Sequence, residues 1–432
     1  MVFNWCPEGW KTVKLEDLGE VNRGRSRHRP RHASHLYGGS YPFVQTGDIK
    51  SSGGRITEYQ QTYSEAGLAQ SRLWNTGTMC ITIAANIAET AVLTFPACFP
   101  DSVVGFVPDN DKCDVYFVEY MFRYLKRRIQ HQATGSVQDN INLGTLNRLY
   151  FPLPPLPEQK AIARILGTLD DKIELNQQMN RTLEATARAI FKSWFVDFDP
   201  VRALMDGRQP EGMDAQTAAL FPDAFEDSEL GMIPKGWEIK TLDAIAQFLN
   251  GLALQKYPPK DNGHLPVIKI AELRRGITEQ SGRASLEVPE EYVIEDGDVL
   301  FSWSGSLVNC IWCGGKGALN QHLFKVTSED YPKWFYYQWI NYHLPNFQAI
   351  AASKATTMGH IKRQHLTEAL LIVPDEKILS AIDKVMSPFI EKYIRNSLES
   401  RNLVNLRDTL LPKLMSGEIR VVEAEKMVED VA

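Results

Sequence analysis

The sequence lacks the features that would place the chain among disulfide-stapled, secreted or membrane proteins. Its six cysteines are scattered over 432 residues and do not form the dense framework of a disulfide scaffold. No stretch reaches eighteen uninterrupted apolar residues, and the first ten residues lack the cationic start and apolar run of a signal peptide. We therefore expect a cytoplasmic protein in a reducing compartment, with no membrane partner.

Motifs for nucleotide and cofactor binding are also missing. Gly314-Gly315-Lys316 lacks both the leading glycine of a phosphate loop and the hydroxyl residue that would bind magnesium. No Gly-x-Gly-x-x-Gly follows a strand pattern, and no Asn-Pro-Pro-aromatic tetrad marks a methyl-donor pocket. We predict that this chain has no catalytic residues and binds no cofactor.

Two short patterns resemble metal sites. Pro222-Asp223 followed by Glu238-x-Lys240 imitates the carboxylate-lysine site of nucleases, but Lys11 is the counterpart of Glu238 in the first half of the chain, which favours coincidence. Cys310 and Cys313 have the spacing of a zinc ligand pair, but no second pair exists. Buried strand thiols are the better interpretation, and we predict no metal site.

Charge is distributed unevenly along the chain. The formal net charge is −6, and residues 205–230 alone carry seven acidic side chains and one basic side chain, so the remainder is neutral. Within that remainder, five arginines alternate through VNRGRSRHRPRH (21–32). Such a run is either a solvated loop or a contact for phosphate groups, and its self-repulsion favours an acidic partner.

An internal repeat organises the chain. Pro7-Glu8-Gly9-Trp10 recurs as Pro234-Lys235-Gly236-Trp237, at an offset of 227 residues. Farther along, the offset is 220, and it relates Ile141, Leu146 and Pro154 to Ile361, Leu366 and Pro374. A repeat unit of this length is far longer than a solenoid repeat and predicts a tandem duplication of a whole domain. Each copy begins with short β-rich runs and one helical stretch, which is typical of an α+β domain.

Each copy then continues as a long helix with apolar residues at alternating spacings of four and three, the pattern of a coiled-coil seam. The predicted packing residues are Ile162, Leu166, Leu169, Ile173, Asn176, Leu183 and Ile190 in the first helix, and Ile382, Met386, Phe389, Tyr393, Asn396, Leu403 and Leu410 in the second. Asn176 and Asn396 occupy the same seam position, where they either fix the register or mark a partly hydrated seam. Gly167 and Pro388 are expected to interrupt the helices early, so that each helix has a short first piece and a kink before its main part.

These patterns predict an α+β fold with a pseudo-twofold internal duplication: two similar α/β recognition domains separated by an antiparallel two-helix coiled-coil spacer. The expected boundaries are 1–155 for the first domain, 156–198 for its helix, 199–233 for an acidic, solvated connector, 234–374 for the second domain, 375–417 for its helix and 418–432 for a fraying acidic tail. Two unlike domains with no active site suit the reading of two different half-sites on duplex DNA.

Four stretches carry a resemblance to a known family: FPLPPLPEQKAIA (151–163), FKSWFVDFDPVR (191–202), ALFPDAFEDSELG (219–231) and IPKGW (233–237). They resemble the specificity subunit of Type I restriction-modification enzymes. The resemblance implies that two target-recognition domains read a bipartite, asymmetric DNA site, while the helical regions set its gap and bind two methyltransferase subunits. It also implies restriction subunits that join through the complex, with S-adenosylmethionine, ATP and magnesium on those partners. The alternative is a standalone two-domain DNA-binding adaptor or regulator, and a nuclease ranks third.

We expect polar loop residues to make the DNA contacts, because arginine and glutamine suit base edges whereas lysine, serine and threonine suit phosphates. The candidates in the first domain are Arg23, Arg25, Arg27, Gln45, Thr46, Lys50, Arg55, Ser136 and Gln138; those in the second are Lys256, Lys260, Lys269, Arg274, Arg275, Lys354, Thr356 and Thr357.

Overall fold

The structure, a computed structural model, describes residues 6–84, 86–133, 141, 143–261, 263–353 and 359–429. It divides into two units. Unit 1 comprises Met1–Lys172 and Leu403–Ala432, and unit 2 comprises Ile173–Asn402. Each unit therefore takes part of both long helices, in addition to one of the duplicated domains. The predicted candidates Ser136, Gln138, Lys354, Thr356 and Thr357 lie outside the described residues.

Unit 1 is built mainly from short strands. In chain order its elements are β1 (Lys11–Lys14), β2 (Gly19–Arg23), β3 (Tyr37–Phe43), α1 (Thr46–Ser51), β4 (Arg55–Ile56), β5 (Gln61–Tyr63), α2 (Glu65–Ala69), β6 (Leu73–Trp74), β7 (Met79–Thr82), β8 (Thr90–Leu93), β9 (Ala97–Cys98), β10 (Val103–Pro108), α3 (Val115–Ala133), α4 (Leu143–Leu146) and β11 (Tyr150–Leu153). A five-stranded sheet has the order β2-β10-β7-β8-β4, a four-stranded sheet the order β5-β3-β9-β6, and β1 pairs with β11.

The first long helix, α5 (Leu156–Phe195), has 40 residues. It begins beside prolines, which are well tolerated in a first helical turn because the N–H groups there have no intrahelical partner. The elements that follow are α6 (Asp199–Met205), α7 (Ala215–Ala218), β12 (Phe225–Ser228), β13 (Gly231–Pro234), β14 (Glu238–Thr241), α8 (Leu242–Ile245), β15 (Gln247–Asn250), β16 (His264–Ile268), α9 (Ile270–Arg275), β17 (Arg283–Ser285), β18 (Val293–Ile294), β19 (Val299–Ser302), β20 (Asn309–Ile311), β21 (Gly317–Leu319), β22 (Leu323–Thr327), α10 (Lys333–Ser353), α11 (Arg363–Thr367) and β23 (Leu370–Val373).

The chain ends with α12 (Glu376–Ser416), which has 41 residues, and α13 (Val421–Glu429). Asp375 caps the start of α12, since its Oδ1 accepts a hydrogen bond of 2.9 Å from the Ile378 amide. Gly417, at a φ of 71°, ends the helix in the left-handed conformation that favours glycine.

The sheets repeat as the sequence does. In unit 2 the strand order β15-β22-β19-β20 reproduces the order β2-β10-β7-β8 of unit 1, and the pair β14-β23 reproduces the pair β1-β11. All of these pairings are antiparallel in both units. The predicted fold class, two similar α/β units with two long helices in an internal duplication, is confirmed.

Hydrogen bonds within each unit establish the direction of the helices. In unit 2, Asn176 Nδ2 donates to Glu399 Oε2 (3.0 Å), and Asn396 Nδ2 donates to Asn180 Oδ1 (3.0 Å). Moving forward along α5 therefore means moving backward along α12, which makes the helices antiparallel. In unit 1, Arg407 of α12 donates to Asp170 of α5 at 2.7 Å.

The seam residues lie on the inner faces of these helices. Ile162, Leu166, Leu169, Ile173, Asn176, Ile382, Met386, Asn396, Leu403 and Leu410 are buried, whereas Leu183, Ile190, Phe389 and Tyr393 are partly buried. Asn176 and Asn396 are both 0% exposed, which favours the role in register over a hydrated seam.

The predicted interruptions at Gly167 and Pro388 are wrong, because both helices run through these positions. Pro388 is on the exposed face of α12, where water can satisfy the carbonyl that loses its partner. At Gly167, an added Cβ would lie 3.0 Å from Arg55 Nη2, so this glycine leaves room for a neighbouring guanidinium group.

The acidic segment 199–233 is not a solvated connector as predicted. Val201, Met213 and Phe221 are buried in the large apolar core of unit 2, together with Trp237. The acidic side chains of the segment face outward while part of its apolar residues pack inward, although Met205, Leu220, Leu230 and Met232 are exposed. Composition alone did not separate these sets. Two short helices, α6 and α7, lie in this segment.

The tail does not fray over its described part. It forms α13, in which Ala424 is fully buried and Glu425 makes an ion pair with Arg164 of α5. The described part of the tail is therefore an amphipathic helix packed within unit 1, and not the fraying segment that was predicted.

Candidate nucleic-acid interface

The arginine run of unit 1 is an extended segment in which side chains alternate between two sides. Gly24 and Ser26 are buried, whereas Arg23, Arg25 and Arg27 are exposed. An added Cβ at Gly24 would lie 2.3 Å from the Pro100 carbonyl oxygen, so only glycine permits this approach. The small residues thus attach the segment to the domain, and three arginines face solvent.

Backbone hydrogen bonds fix this segment. Gly24 N donates to Val103 O at 2.8 Å, and Arg25 N donates to Phe99 O at 3.2 Å. On the other side, Ser71 Oγ donates to Arg25 O at 2.8 Å, and His28 N donates to Gln70 Oε1 at 3.0 Å. No hydrogen bond or ion pair to another described residue engages the side chains of Arg23, Arg25 and Arg27. The backbone of this segment is therefore fixed, and the guanidinium groups of Arg23, Arg25 and Arg27 are available to bind a ligand.

The two remaining arginines of the run have structural partners. Arg29 Nη1 donates to the carbonyl oxygens of Ser26 (2.6 Å) and His28 (2.9 Å). Arg31 Nη2 donates to both carboxylate oxygens of Asp101, at 2.9 and 3.0 Å. The run therefore divides into three exposed arginines and two that brace the loop.

A second polar group surrounds α1 of unit 1. Gln45 precedes the helix and donates from Nε2 to Gln61 Oε1 at 2.9 Å, and Thr46 begins the helix. Lys50 is exposed, and its Nζ donates to Asn86 Oδ1 at 3.1 Å. Amides and a lysine on an exposed helical turn can hydrogen-bond to base edges and phosphates.

Arg55 occupies a different environment from the other candidates. It makes an ion pair with Asp171 of α5, and its guanidinium carbon lies 5.2 Å from the centre of the Tyr116 ring. The ion pair joins the domain to its long helix within unit 1, whereas the contact with Tyr116 of α3 lies inside the domain. This placement disfavours the predicted DNA contact, and we assign Arg55 to the support of the helix instead.

The candidates of unit 2 lie on two segments. Lys256 is exposed, and Lys260 is paired with Glu287 at 2.5 Å. Lys269 precedes α9, and Arg274 and Arg275 occupy its last turn, all three exposed. The helix α9 follows β16 as α1 follows β3, so both units present basic residues on an equivalent short helix.

Sequence reasoning missed a group of polar and aromatic residues in unit 2: Asn250, Trp303, Ser304, Gln321 and His322. Trp303 Nε1 donates to Asn250 Oδ1 at 2.8 Å, and Ser304 Oγ lies 3.0 Å from His322 Nδ1. The offset of 227 residues already gave a signal, because it places Asn250 and Gly251 at the positions of Arg23 and Gly24.

The apparent metal motifs do not gather ligands in the described part of the chain, where no group of three or more His, Cys, Asp or Glu side chains could hold an ion. Glu238 is instead paired with Lys240 at 3.2 Å. Burial raises the pKa of the Cys310 thiol to about 12, which keeps it protonated at neutral pH. None of the described helices is long and apolar enough to cross a membrane.

Two duplicated α/β units, each with an exposed polar edge and a share of two antiparallel helices, define a two-domain helical-spacer protein. Comparison with known proteins identifies its family. The family model described as "Type I restriction modification DNA specificity domain" matches residues 7–185 and 234–406. The chain therefore belongs to this family.

Individual relatives agree with this assignment. The chain is similar to the Type I restriction enzyme MjaIX specificity subunit of Methanocaldococcus jannaschii, at 25% identity over 96% of this chain and 95% of that protein. It is also similar to the HindI specificity subunit of Haemophilus influenzae, at 28% identity over 65% of this chain and 71% of that protein. A crystal structure of a Type I restriction-modification S subunit from M. genitalium shares the fold, with a TM-score of 0.57, 15% identity and coverage of 96% and 97% of the two chains.

Proposed function

We propose that this chain is the non-catalytic DNA-recognition subunit of a Type I restriction-modification complex, and that it reads a bipartite, asymmetric site on duplex DNA. The single observation that carries the proposal is the family match, which occurs once in each half of the chain. One recognition unit per half-site follows from the duplication. Asymmetry of the site follows from the difference between Arg23–Arg27 and the equivalent residues 250–254.

The proposed partners are duplex DNA, two methyltransferase subunits and, through the complex, ATP-dependent restriction subunits. S-adenosylmethionine, ATP and magnesium are assigned to those partners rather than to this chain. The family relationship supports this division of labour. The two long helices, each with an outer face free of the seam, supply surfaces of the kind on which helical partners dock.

The deciding experiment compares the methylomes of two strains, one with this gene and one without it. We expect an interrupted sequence motif, methylated only when the gene is present. Copurification should recover a methyltransferase subunit with the tagged chain. A chain that binds one DNA sequence but neither copurifies with a methyltransferase nor changes the methylome would instead be a standalone DNA-binding regulator.

We also propose that the two helices set the number of base pairs between the half-sites. An insertion near residues 197–199 is a poor test, since Phe198 and Val201 are buried in the core of unit 2. A better variant inserts seven residues between Lys172 and Ile173 and seven between Asn402 and Leu403, where the units divide. One heptad in each helix preserves the seam spacing.

A heptad adds about 10 Å of helix, which corresponds to roughly three base pairs at 3.4 Å each. We expect the methylated motif to keep both half-sites and to lengthen its gap by about this number. A single heptad, inserted in α5 alone, is the control that shifts the seam and should abolish methylation. Altered half-site bases with an unaltered gap would contradict the proposal.

A further inference from the structure

The edge of unit 2 that corresponds to the arginine run has the same backbone but different side chains. An added Cβ at Gly251 would lie 2.3 Å from the Asn320 carbonyl oxygen, as it would at Gly24 from that of Pro100. Gly251 N donates to Leu323 O at 3.0 Å, and position 323 is the counterpart of Val103, which accepts from Gly24. The two edges are therefore equivalent, residue by residue.

Leucines occupy the positions of two of the exposed arginines. Leu252 and Leu254 stand where Arg25 and Arg27 stand in unit 1. Leu254 is only 5% exposed and packs with Val267 and Ala284, and Leu252 packs against the same cluster. At this edge, two positions that carry exposed arginines in unit 1 carry leucines packed against the core. Unit 2 therefore needs other side chains to contact a ligand there.

A half-buried polar and aromatic cluster lies at that edge. The Trp303 indole donates to Asn250 Oδ1 (2.8 Å) and to Gln321 O (3.2 Å). Its ring lies 5.7 Å from the His322 ring and 6.4 Å from the His360 ring. We call Asn250, Trp303, Ser304, Gln321 and His322 the amide-aromatic cluster.

The cluster is held together by contacts among amide, hydroxyl and ring groups. Gln321 Nε2 lies 3.3 Å from His322 Nε2, and Ser304 Oγ lies 3.0 Å from His322 Nδ1. The cluster therefore offers donors, acceptors and ring faces without a lysine or an arginine.

A basic side chain stands beside the cluster. Arg274 lines a cavity of about 370 Å³ together with Gly305, Ser306 and Gly359. The backbone connects this cavity to the cluster, because Gly305 N donates to Gly359 O at 2.8 Å and Ile361 N donates to Trp303 O at 2.9 Å. Arg274 can thus contact a phosphate group while the cluster faces the adjoining base edges.

We infer that the amide-aromatic cluster reads the half-site of unit 2, with amide and ring contacts to base edges where unit 1 uses arginines. This inference rests on the proposed function and deepens it. Asparagine and glutamine suit adenine, and arginine suits guanine. The half-site of unit 2 accordingly contains an adenine read by Gln321 or Asn250, and that of unit 1 contains a guanine.

The test uses Gln321→Ala and Asn250→Ala in the full-length chain, in the strain whose methylome defines the wild-type motif. We expect each variant to relax the motif at one or more A·T positions of one half-site, with discrimination reduced about 5- to 150-fold, the range for a missing bidentate pair. The other half-site should be unchanged. Binding of the purified chain to the wild-type site should keep its salt dependence, because no cation is removed.

Gln280→Ala is the matched control, since Gln280 is an exposed amide of unit 2 outside the cluster. It should leave the motif unchanged, and thermal unfolding of all variants shows that they remain folded. A wild-type methylome without an interrupted motif would refute the proposed function itself. With a wild-type motif in hand, an unchanged motif in both variants overturns this inference alone, as does relaxation confined to the guanine-containing half-site.

Discussion

The two units attach their domains to the long helices by different chemistry. In unit 1, Arg123 of α3 bonds to Glu119 (2.7 Å) and Asp170 (3.4 Å), and Arg407 of α12 bonds to the same Asp170 (2.7 Å). In unit 2, the corresponding positions hold Trp339, His343 and Ile390. There the Phe195 ring of α5 lies 5.7 Å from the rings of Trp237, Trp334 and Phe335.

The two units therefore use equivalent positions to attach the domain to the helices. In unit 1 these positions carry charged side chains, and in unit 2 all three carry different residue types. Glu119 is 1% exposed, and burial raises the pKa of its carboxyl group even though Arg123 partly compensates. Replacing a single member of such a network is strongly destabilising, because the remaining charges lose their partners. In unit 2 the three corresponding positions carry no ion pair with one another, and aromatic rings around Phe195 supply much of the packing there.

The largest effect is therefore expected from breaking the charged attachment of unit 1. Asp170→Ala removes the carboxylate shared by Arg123 and Arg407, and should lower the free energy of unfolding by about 3–5 kcal/mol. Urea denaturation, followed by a probe in unit 1, measures this loss. Asp171→Ala is the control, since Asp171 is 62% exposed and, among the described residues, pairs only with Arg55; it should cost about 1 kcal/mol or less. Equal losses for the two variants would show that the buried network is not what holds the helix.

The second prediction tests whether the backbone at Gly24 in unit 1 and at Gly251 in unit 2 is packed in the same way. Gly24→Ala and Gly251→Ala should each cost about 1–3 kcal/mol, because the new methyl group would overlap a carbonyl oxygen of the facing segment. Gly47→Ala is the control, with no atom within 4 Å of an added Cβ and a helical position that favours alanine. If only one of the edge variants were destabilised, the equivalence of the edges would fail.

The sequence predicts the duplication and the helix seam well, because both depend on spacing that every residue of the repeat shares. The buried Asn176 and Asn396 are an example, since their common offset of 220 was enough to place them on one seam. The sequence predicts burial less well in segments whose overall composition is polar but whose few apolar residues pack into a core. Segment 199–233 has an acidic composition, but Val201 and Phe221 contribute to a core whose other members are far along the chain.

The candidate interface was predictable only in part, for a related reason. A run of arginines is visible in one sequence, whereas the amide-aromatic cluster joins residues 250, 303 and 321 from three strand ends. The sequence also does not show which acidic residue an arginine pairs with. Arg55 therefore resembles the other arginines in the sequence, and only the structure shows its ion pair with Asp171. Long-range pairing determines which cations are available to a ligand.

The third prediction sharpens the contrast between the arginine run of unit 1 and the amide-aromatic cluster of unit 2. Arg25→Ala with Arg27→Ala should weaken DNA binding and make the slope of log K against log salt shallower by roughly two, about 0.9 for each phosphate that is no longer neutralised. Titrations of the purified chain between low and moderate salt measure this slope. Arg29→Ala is the control, because Arg29 is already bonded to backbone carbonyls and should change the slope little. An unchanged slope in the double variant would remove the run from the interface.

The smallest effect is expected at an ion pair that only unit 2 can form. Arg401 of α12 donates from Nη1 and Nη2 to the two carboxylate oxygens of Asp296, at 2.7 and 2.8 Å, whereas Thr76 stands at the position of Asp296 in unit 1. Both side chains are partly exposed, so Asp296→Asn should cost about 1 kcal/mol or less at pH 7. Thr76→Asn, at the equivalent turn, is the matched control and should change the stability little.

The stabilisation from the Arg401–Asp296 ion pair should depend on pH. The hydrogen bonds from Arg401 hold the pKa of the Asp296 carboxyl below its ordinary value of 3.8. A lowered pKa in the folded state stabilises the protein above the unfolded-state pKa, and this contribution is lost as the pH falls through the folded-state pKa. Wild type and Asp296→Asn should thus differ in urea denaturation at neutral pH, and this difference should shrink as the pH falls below about 4 toward the lowered folded-state pKa. A difference that stays constant as the pH falls would mean that the amide perturbs the turn rather than removing a charge pair.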